Sequence, residues 1–198
     1  GSCHLLETNG LRILLDCGLQ QGENDRKRRA DHDLPISVDS AAVDAVILSH
    51  GHLDHSGMLP RLVHEGFRGP IYCTSGTRQL LEILLMDSLH LYLKDLEYEN
   101  LRRARAGRKP VQPLYDERDV RRTIGLCDCV DYGQHRNIAD GLTLTLHDAG
   151  HILGSSIVEL RISSARHTRT LVFSGDLGND NTSLMNDPDV IEQADIVL

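Results

Sequence analysis

The sequence lacks any long hydrophobic run. A membrane-spanning helix needs about 20 consecutive apolar residues, and no stretch of the 198 residues approaches that length, so we expect no membrane association. A secretory signal is also missing from the N-terminal residues. The five cysteines are odd in number and scattered along the chain, which is unlike a disulfide framework and indicates reduced thiols in a cytoplasmic protein.

An excess of positive charge is missing as well. The formal net charge is −8, unlike the strongly basic surface of a typical nucleic-acid binder. A polyanionic substrate is not excluded, because bound divalent cations would add positive charge where a phosphate binds. Basic runs at 26–29 and 102–109 are either phosphate contacts or ordinary solvated faces.

What the chain does have is the composition of a globular domain. Hydrophobic residues make up 40% of its 198 residues, enough for one domain with a buried core. Hydrophobic patterns predict both strands and helices, which suggests an α/β sandwich. The predicted strands lie at 3–8, 11–15, 43–48, 70–74, 126–132, 142–146, 155–162, 170–173 and 195–198, and the helices run from a cap at Ser56 to Gly66, over 77–105 and over 116–124. Residues 19–40 are predicted to form a long surface loop.

Four side chains that can bind a metal follow the predicted strand at 43–48: His50, His52, Asp54 and His55. In an extended chain, residues two apart point the same way, so His50 and His52 can aim at one point. Asp54 and His55 are adjacent, so they diverge and can serve a second point beside the first. Imidazole and carboxylate groups suit zinc and its first-row neighbours. The alternative is a polar loop, but the full His-x-His-x-Asp-His pattern after an apolar strand favours a metal site.

Two further candidates follow later strands. His151 and Asp176 each lie in a glycine-containing loop after a core strand, where side chains are presented at the edge of a sheet. Taken alone, each would more often be structural. Taken with the first motif, they complete a set of ligands.

The stretch 47–57 resembles the signature of the metallo-β-lactamase superfamily of binuclear metal hydrolases. The opening residues 1–18 and residues 57–125, with Pro-Leu-Tyr at 113–115, resemble its β-CASP branch, which contains RNA- and DNA-processing nucleases. This resemblance covers nearly the whole chain. It implies the αββα fold, two mixed sheets with helices outside, with residues 1–198 as the N-terminal part of the catalytic domain.

The resemblance implies two zinc ions and a ligand set for each. The implied ligands are His50, His52 and His151 for one ion, and Asp54, His55 and Asp176 for the other. Asp176 is expected to bridge the two ions. Manganese and iron accept similar ligands, so the identity of the metal stays open.

Asp54 and His55 are also the implied catalytic residues, with Asp54 orienting or deprotonating the attacking water. Asp16 matches the aspartate that supports the metal loop from behind in this family; its alternative is a turn aspartate with no link to the metals. The remaining histidines match no ligand position of the family and are expected to be surface or core residues. They are His4, His32, His64, His90, His135, His147 and His167.

The implied reaction is hydrolysis of RNA phosphodiester bonds by a metal-bound hydroxide, with the metals neutralising charge on the phosphate oxygens. Single-stranded DNA is an alternative substrate, and both endonuclease and exonuclease action stay open. The implied partners are therefore RNA and, in the full-length chain, the β-CASP domain. A homodimer is compatible with the sequence.

The chain stops where β-CASP enzymes continue. In those enzymes, an acidic residue at the next strand end and two further histidines, a general acid and a metal ligand, come from segments absent here. The β-CASP domain is therefore expected to lie outside residues 1–198. We expect this chain alone to bind metal incompletely and to cleave RNA poorly or not at all.

Two other functions compete with the nuclease. One is a small-molecule hydrolase of the same superfamily that acts on a thioester or a lactam; the helix at 77–105 and the Pro-Leu-Tyr segment argue against it, because they match the nuclease branch. The other is a non-catalytic RNA-processing subunit that keeps the fold and loses metal ligands. The presence of all six expected ligands argues against that subunit.

Overall fold

The computed structural model describes residues 1–19, 38–164 and 167–198. The predicted loop at 19–40 falls largely outside these ranges, and the basic run at 26–29 falls entirely outside them. The strands are β1 (His4–Thr8), β2 (Leu11–Leu15), β3 (Ala45–Ile47), β4 (Ile71–Cys73), β5 (Cys127–Cys129), β6 (Arg136–Ala139), β7 (Leu142–Asp148), β8 (Ser156–Ser163), β9 (Thr168–Phe173) and β10 (Ile196–Val197). The α-helices are α1 (Leu53–Ser56), α2 (Leu59–His64), α3 (Ser75–Arg105) and α4 (Glu117–Gly125), and a 3-10 turn covers Ser40–Ala42.

The strands form two five-stranded sheets. The first has the order β1-β2-β3-β4-β5, and the second has the order β10-β9-β8-β7-β6. In the first sheet β1 pairs antiparallel with β2, and the remaining pairs are parallel. In the second sheet β6 to β9 are antiparallel neighbours, and β10 is parallel to β9. Both sheets are therefore mixed, as the αββα resemblance implies.

The alternation of side chains along the first sheet creates two cores. Val46 and Leu48 belong to the cluster that the helices cover, whereas Ala45 and Ile47 belong to the cluster between the two sheets. This follows from the period of two along a strand, which sends neighbouring side chains to opposite faces. The described layers are thus helix, sheet and sheet, and the α/β sandwich predicted from the sequence is confirmed.

The long helix α3 has 31 residues and begins two residues before the predicted start. Its N-cap is Thr74, whose side chain accepts a hydrogen bond from the backbone of Thr77. Its buried leucines, Leu81, Leu85 and Leu89, all lie in its first half, so the second half extends away from the core. None of the described helices combines the length and the apolar character that crossing a membrane requires.

The expectation that Ser56 caps a helix is wrong. Ser56 is the last residue of α1, and its hydroxyl donates to the backbone carbonyls of Gly51 and His52. The next helix, α2, begins at Leu59 with a proline in its first turn, a position that proline favours. The structure also contains β6, a strand that the sequence patterns missed.

Candidate metal centre

The predicted site residues lie where strands of both sheets end. Asp16 follows β2 and His50 follows β3, two parallel neighbours whose carboxyl ends share one edge. His151 follows β7 and Asp176 follows β9; both strands pair antiparallel with β8 and so run in the same direction. The carboxyl ends of strands from two sheets therefore supply the site.

Close contacts join the two sheets at this edge. The backbone carbonyl of Ser49 accepts hydrogen bonds from the amide and the hydroxyl of Ser156, at 2.8 and 3.0 Å. Gly175 has φ +53°, and a β-carbon there would lie 2.8 Å from the β-carbon of Ser49. Only glycine permits both this backbone conformation and this approach, and the approach brings the neighbouring Asp176 to the histidines.

Three imidazole nitrogens converge on one point with Asp176. Nδ1 of His52 lies 3.1 Å from Nε2 of His50 and 3.3 Å from Nε2 of His151. One carboxylate oxygen of Asp176, Oδ2, lies 3.8 Å from the His50 nitrogen and 3.7 Å from the His151 nitrogen. One potential ligand atom from each of these four residues lies within 4.8 Å of the others.

The other oxygen of Asp176 faces a second group. Oδ1 lies 3.3 Å from Nε2 of His55, and that nitrogen lies 3.8 Å from Oδ2 of Asp54. The side chains of Asp54 and Asp176 are 40% and 45% exposed, so this group opens to solvent. Asp54 and His55 lie in the helical turn α1 and not in extended chain, but adjacent residues diverge there as well, by about 100°.

A buried hydrogen-bond network lies behind the histidines. Asp16 is fully buried, and its Oδ2 accepts from Nδ1 of His55 at 2.6 Å and from the hydroxyl of Ser49 at 2.9 Å. The Ser49 hydroxyl also lies 3.0 Å from Nδ1 of His50. Because its own proton goes to Asp16, the Ser49 oxygen is left to accept the Nδ1 proton of His50. This arrangement leaves Nε2 of both His50 and His55 free as lone-pair donors toward the site.

The pKa of His50 supports this arrangement of protons. Burial, followed by the neighbouring His55, His52 and His151, lowers the pKa of His50 to about 3, so the ring is neutral at physiological pH. Burial acts to lower the pKa of His55, but the hydrogen bond to Asp16 and the nearby carboxylates outweigh it and raise that pKa. Burial also raises the pKa of Asp16, against the opposing hydrogen bonds from His55 and Ser49. Both shifts favour a proton between Asp16 and Nδ1 of His55, and metal binding at Nε2 requires the His55 ring itself to be neutral.

The donor set fits a divalent cation. Nδ1 of His52 carries at most one proton, so it can satisfy only one of the two nitrogens that face it. A cation among the three rings would satisfy all three lone pairs, with a carboxylate to balance its charge. Imidazole nitrogens with carboxylate oxygens are ligands that zinc, manganese and iron accept.

All six predicted ligands and Asp16 come together at this edge. Among the remaining histidines, His64, His135 and His147 bond to other groups, namely Asp119, Thr145 and Glu159; His32 lies outside the described residues. Sequence reasoning missed Ser49, which contacts Asp16, His50 and the second sheet. The available signal was its position, a buried polar residue between an apolar strand and the first histidine.

A comparison with protein families shows which superfamily this chain belongs to. A family model described as a metallo-beta-lactamase superfamily domain matches residues 5–196. The chain belongs to the metallo-β-lactamase superfamily. The family predicted from residues 47–57 is confirmed, and so is the mixed α/β sandwich that it implies. Divalent metal binding follows from this membership together with the His/Asp cluster.

Curated relatives of this superfamily member are much longer proteins. Ribonuclease TTHA0252 of Thermus thermophilus is 38% identical over 198 residues, which are 100% of this chain and 40% of that protein. Transcription termination factor FttA of Methanothermobacter thermautotrophicus is 39% identical over 186 residues, 93% of this chain and 26% of that protein. The chain thus spans less than half the length of these relatives, which fit the β-CASP branch. Among solved structures, the subclass B3 metallo-β-lactamase BJP-1 of Bradyrhizobium japonicum has a TM-score of 0.48 at 17% identity, over 86% of this chain and 54% of that one.

Proposed function

We propose that this chain is the metal-binding part of a longer ribonuclease that hydrolyses RNA phosphodiester bonds with two zinc ions. The observation that carries the proposal is the position of Asp176. One of its oxygens faces the nitrogens of His50 and His151, and the other faces His55. The name of the Thermus thermophilus relative supports RNA as the substrate.

In this proposal the ligands divide into two sets that share a carboxylate. His50, His52 and His151 would hold one ion, Asp54 and His55 would hold the other, and Asp176 would bridge them. When bound, the two ions would lower the pKa of a shared water toward neutrality and offset the charge of the phosphate. Manganese or iron in place of zinc would leave this division unchanged.

The protein's own groups supply orientation and proton handling. The exposed carboxylate of Asp54 is suited to orient the attacking water and to accept its proton, because it reaches solvent beside His55. Behind it, the bond between His55 and Asp16 keeps the ring of His55 in one orientation. Asp16 thus acts through other residues and has no contact with the substrate in this scheme.

The proposal also concerns what lies beyond these residues. Residues 1–198 would form part of the metallo-β-lactamase domain, and a β-CASP domain outside them would complete the groove for RNA and supply the general acid and a last metal ligand. The coverage of only 40% of the ribonuclease relative supports this division. The five cysteines are all free, which supports a cytoplasmic location.

The test compares the full-length protein with the 198-residue chain. We expect the full-length protein to cleave labelled single-stranded RNA only with zinc or a related ion present. The short chain should bind zinc, measured by titration calorimetry and elemental analysis, yet cleave RNA at least about 100-fold more slowly, because a missing general acid alone accounts for 10²–10⁴ in rate. Robust turnover by the short chain would contradict the division between domains.

Two histidines of similar location provide the matched pair of variants. His151→Ala in the full-length protein should abolish cleavage and remove bound metal, whereas His147→Ala should preserve both, because His147 bonds to Glu159 instead. Turnover of a thioester or a β-lactam with RNA left intact would instead establish the small-molecule hydrolase. Absence of bound metal in the full-length protein would establish the non-catalytic subunit, and cleavage of single-stranded DNA but not RNA would change the substrate.

A further inference from the structure

The far end of α3 concentrates positive charge in an otherwise acidic chain. We define the α3 tip as Tyr98 together with residues 102–109. It contains four arginines and one lysine, and no acidic residue occurs between positions 100 and 115, although the chain has a net charge of −8. Glu99 is the one ion-pair partner of the tip among the described residues, at 3.8 Å from Arg102.

Hydrogen bonds within and beside the tip fix the turn that follows the helix. The guanidinium of Arg103 donates to the backbone carbonyl of Lys109 at 2.7 Å. The side chain of Asn100 bonds both backbone groups of Val111, at 2.7 and 2.9 Å. These bonds fold the chain after the helix back against it. The helix C-terminus carries a partial negative charge of about half an elementary charge. It can therefore balance no more than one of the five cations of the tip.

One face of the tip combines an aromatic ring with guanidinium groups. Tyr98, Arg102 and Arg105 are spaced four and three residues apart, so they lie along the same face of the helix. Tyr98 is 66% exposed, and so is the side chain of Arg102. Arg108 follows in the exposed turn beyond the helix. An exposed aromatic ring beside a row of cations is the combination that binds single-stranded nucleic acid, by base stacking and by phosphate contacts.

We propose that the α3 tip binds the backbone of single-stranded RNA, with one base stacked on Tyr98. The choice of RNA as the polyanion rests on the proposed function. Thr77, in the first turn of α3, contacts the carbonyl of Gly154 beside the metal centre. The helix runs from Ser75 to Arg105, so at about 1.5 Å per residue Tyr98 lies about 35 Å and Arg105 about 45 Å from that end. The tip would therefore hold RNA well away from the bond that is cleaved.

The experiment measures RNA affinity against salt concentration. Binding of a labelled 20-nucleotide single-stranded RNA to the full-length protein is followed by fluorescence anisotropy. EDTA is present, so that metal binding and RNA cleavage do not contribute. Replacing Arg102, Arg105 and Arg108 by alanine should weaken binding at low salt at least about 10-fold. It should also reduce the slope of log affinity against log salt by about 2, at about 0.7 per phosphate contact.

The matched control replaces Arg118, Arg121 and Arg122 of α4, which removes the same charge from the neighbouring helix. For this control variant, the slope of log affinity against log salt should equal that of the unaltered chain. Tyr98→Ala should weaken binding about 10-fold with the slope unchanged, and Tyr98→Phe should preserve it, because stacking needs the ring and not the hydroxyl. Circular dichroism and melting temperature confirm that each variant is folded.

Equal slopes in the two triple variants would overturn the assignment of the tip. Competition by poly-glutamate as strong as by RNA, with no effect of Tyr98→Ala, would also overturn it, since the tip would then bind an acidic polypeptide. The two proposals fail separately. A protein that binds RNA through the tip and never cleaves it would contradict the proposed function alone. RNA cleavage, together with equal salt slopes in the two triple variants, would contradict only the proposal that the α3 tip binds RNA.

Discussion

At the residue scale, Ser49 links Asp16, His50 and the second sheet. Its amide and hydroxyl donate to Asp16 at 2.8 and 2.9 Å, and its carbonyl accepts from Ser156. Its hydroxyl oxygen is also the acceptor available to Nδ1 of His50. Partners of this kind hold a ligating ring in one tautomer and orientation.

Ser49→Ala should therefore weaken zinc binding about 10- to 100-fold, the usual effect of removing such a partner. Ser40→Ala is the matched control, because Ser40 is also a buried serine whose hydroxyl donates to a carboxylate, that of Glu65. Both variants should lose about 1–2 kcal/mol of unfolding free energy, but only Ser49→Ala should change the zinc affinity measured by calorimetry. Equal zinc affinities in the two variants would show that Ser49 acts only in folding.

At the scale of elements, the site depends on how closely the loop after β9 approaches the loop after β3. Gly175 makes that approach possible, since a β-carbon there would meet Ser49 at 2.8 Å. Among the described residues, the neighbouring Asp176 is the one carboxylate that reaches both groups of nitrogens. A small outward shift of this loop would therefore separate the two halves of the donor set.

Gly175→Ala should lower the unfolding free energy by about 2–4 kcal/mol, from overpacking together with strain at positive φ. It should also weaken zinc binding. Gly133→Ala tests the strain alone, because Gly133 has φ +71° and no atom within 4 Å of the added β-carbon; we expect a loss of about 1 kcal/mol there and unchanged zinc affinity. Denaturant unfolding and calorimetry measure both quantities, and similar losses of affinity in the two variants would rule out the steric explanation.

At the scale of the whole molecule, the metal centre joins the two sheets. The residues at 50–55 follow β3 of the first sheet, whereas His151 and Asp176 follow strands of the second. A cation bound among them would exist only when both sheets are folded and packed together. Its binding free energy would then add to the stability of the whole chain.

Zinc at 100 times its dissociation constant should stabilise the folded chain by about 2.7 kcal/mol, seen as a higher melting temperature that EDTA reverses. His151→Ala should reduce or remove this increase, because it takes one ligand of the second sheet away. His147→Ala should keep the increase, since its ring bonds to Glu159. An equal increase in both variants would mean that zinc binds elsewhere.

Much of this protein can be predicted from local sequence patterns. Short apolar runs, and the alternation at 142–146, marked most strands. The helix predicted over 116–124 is also present, and Asp116 is its N-cap in a capping box. The four candidates at 50–55 were evident because they lie within six residues and follow an apolar strand. The short strand β6 escaped because it is irregular; its pairing with β7 shifts register between Asn137 and Ala139.

The amino-acid sequence alone therefore determined the type of fold, the superfamily and the chemical nature of the ligands. Each of these depends on patterns of residues that are close together along the chain. Only the tertiary structure decided that His151 and Asp176 meet the cluster at 50–55 and that Asp16 reaches His55 through the core. It also decided that Ser49 lies against Gly175. These contacts join residues about 40 to 130 positions apart, and they depend on strand order and sheet packing, which local periodicity does not encode.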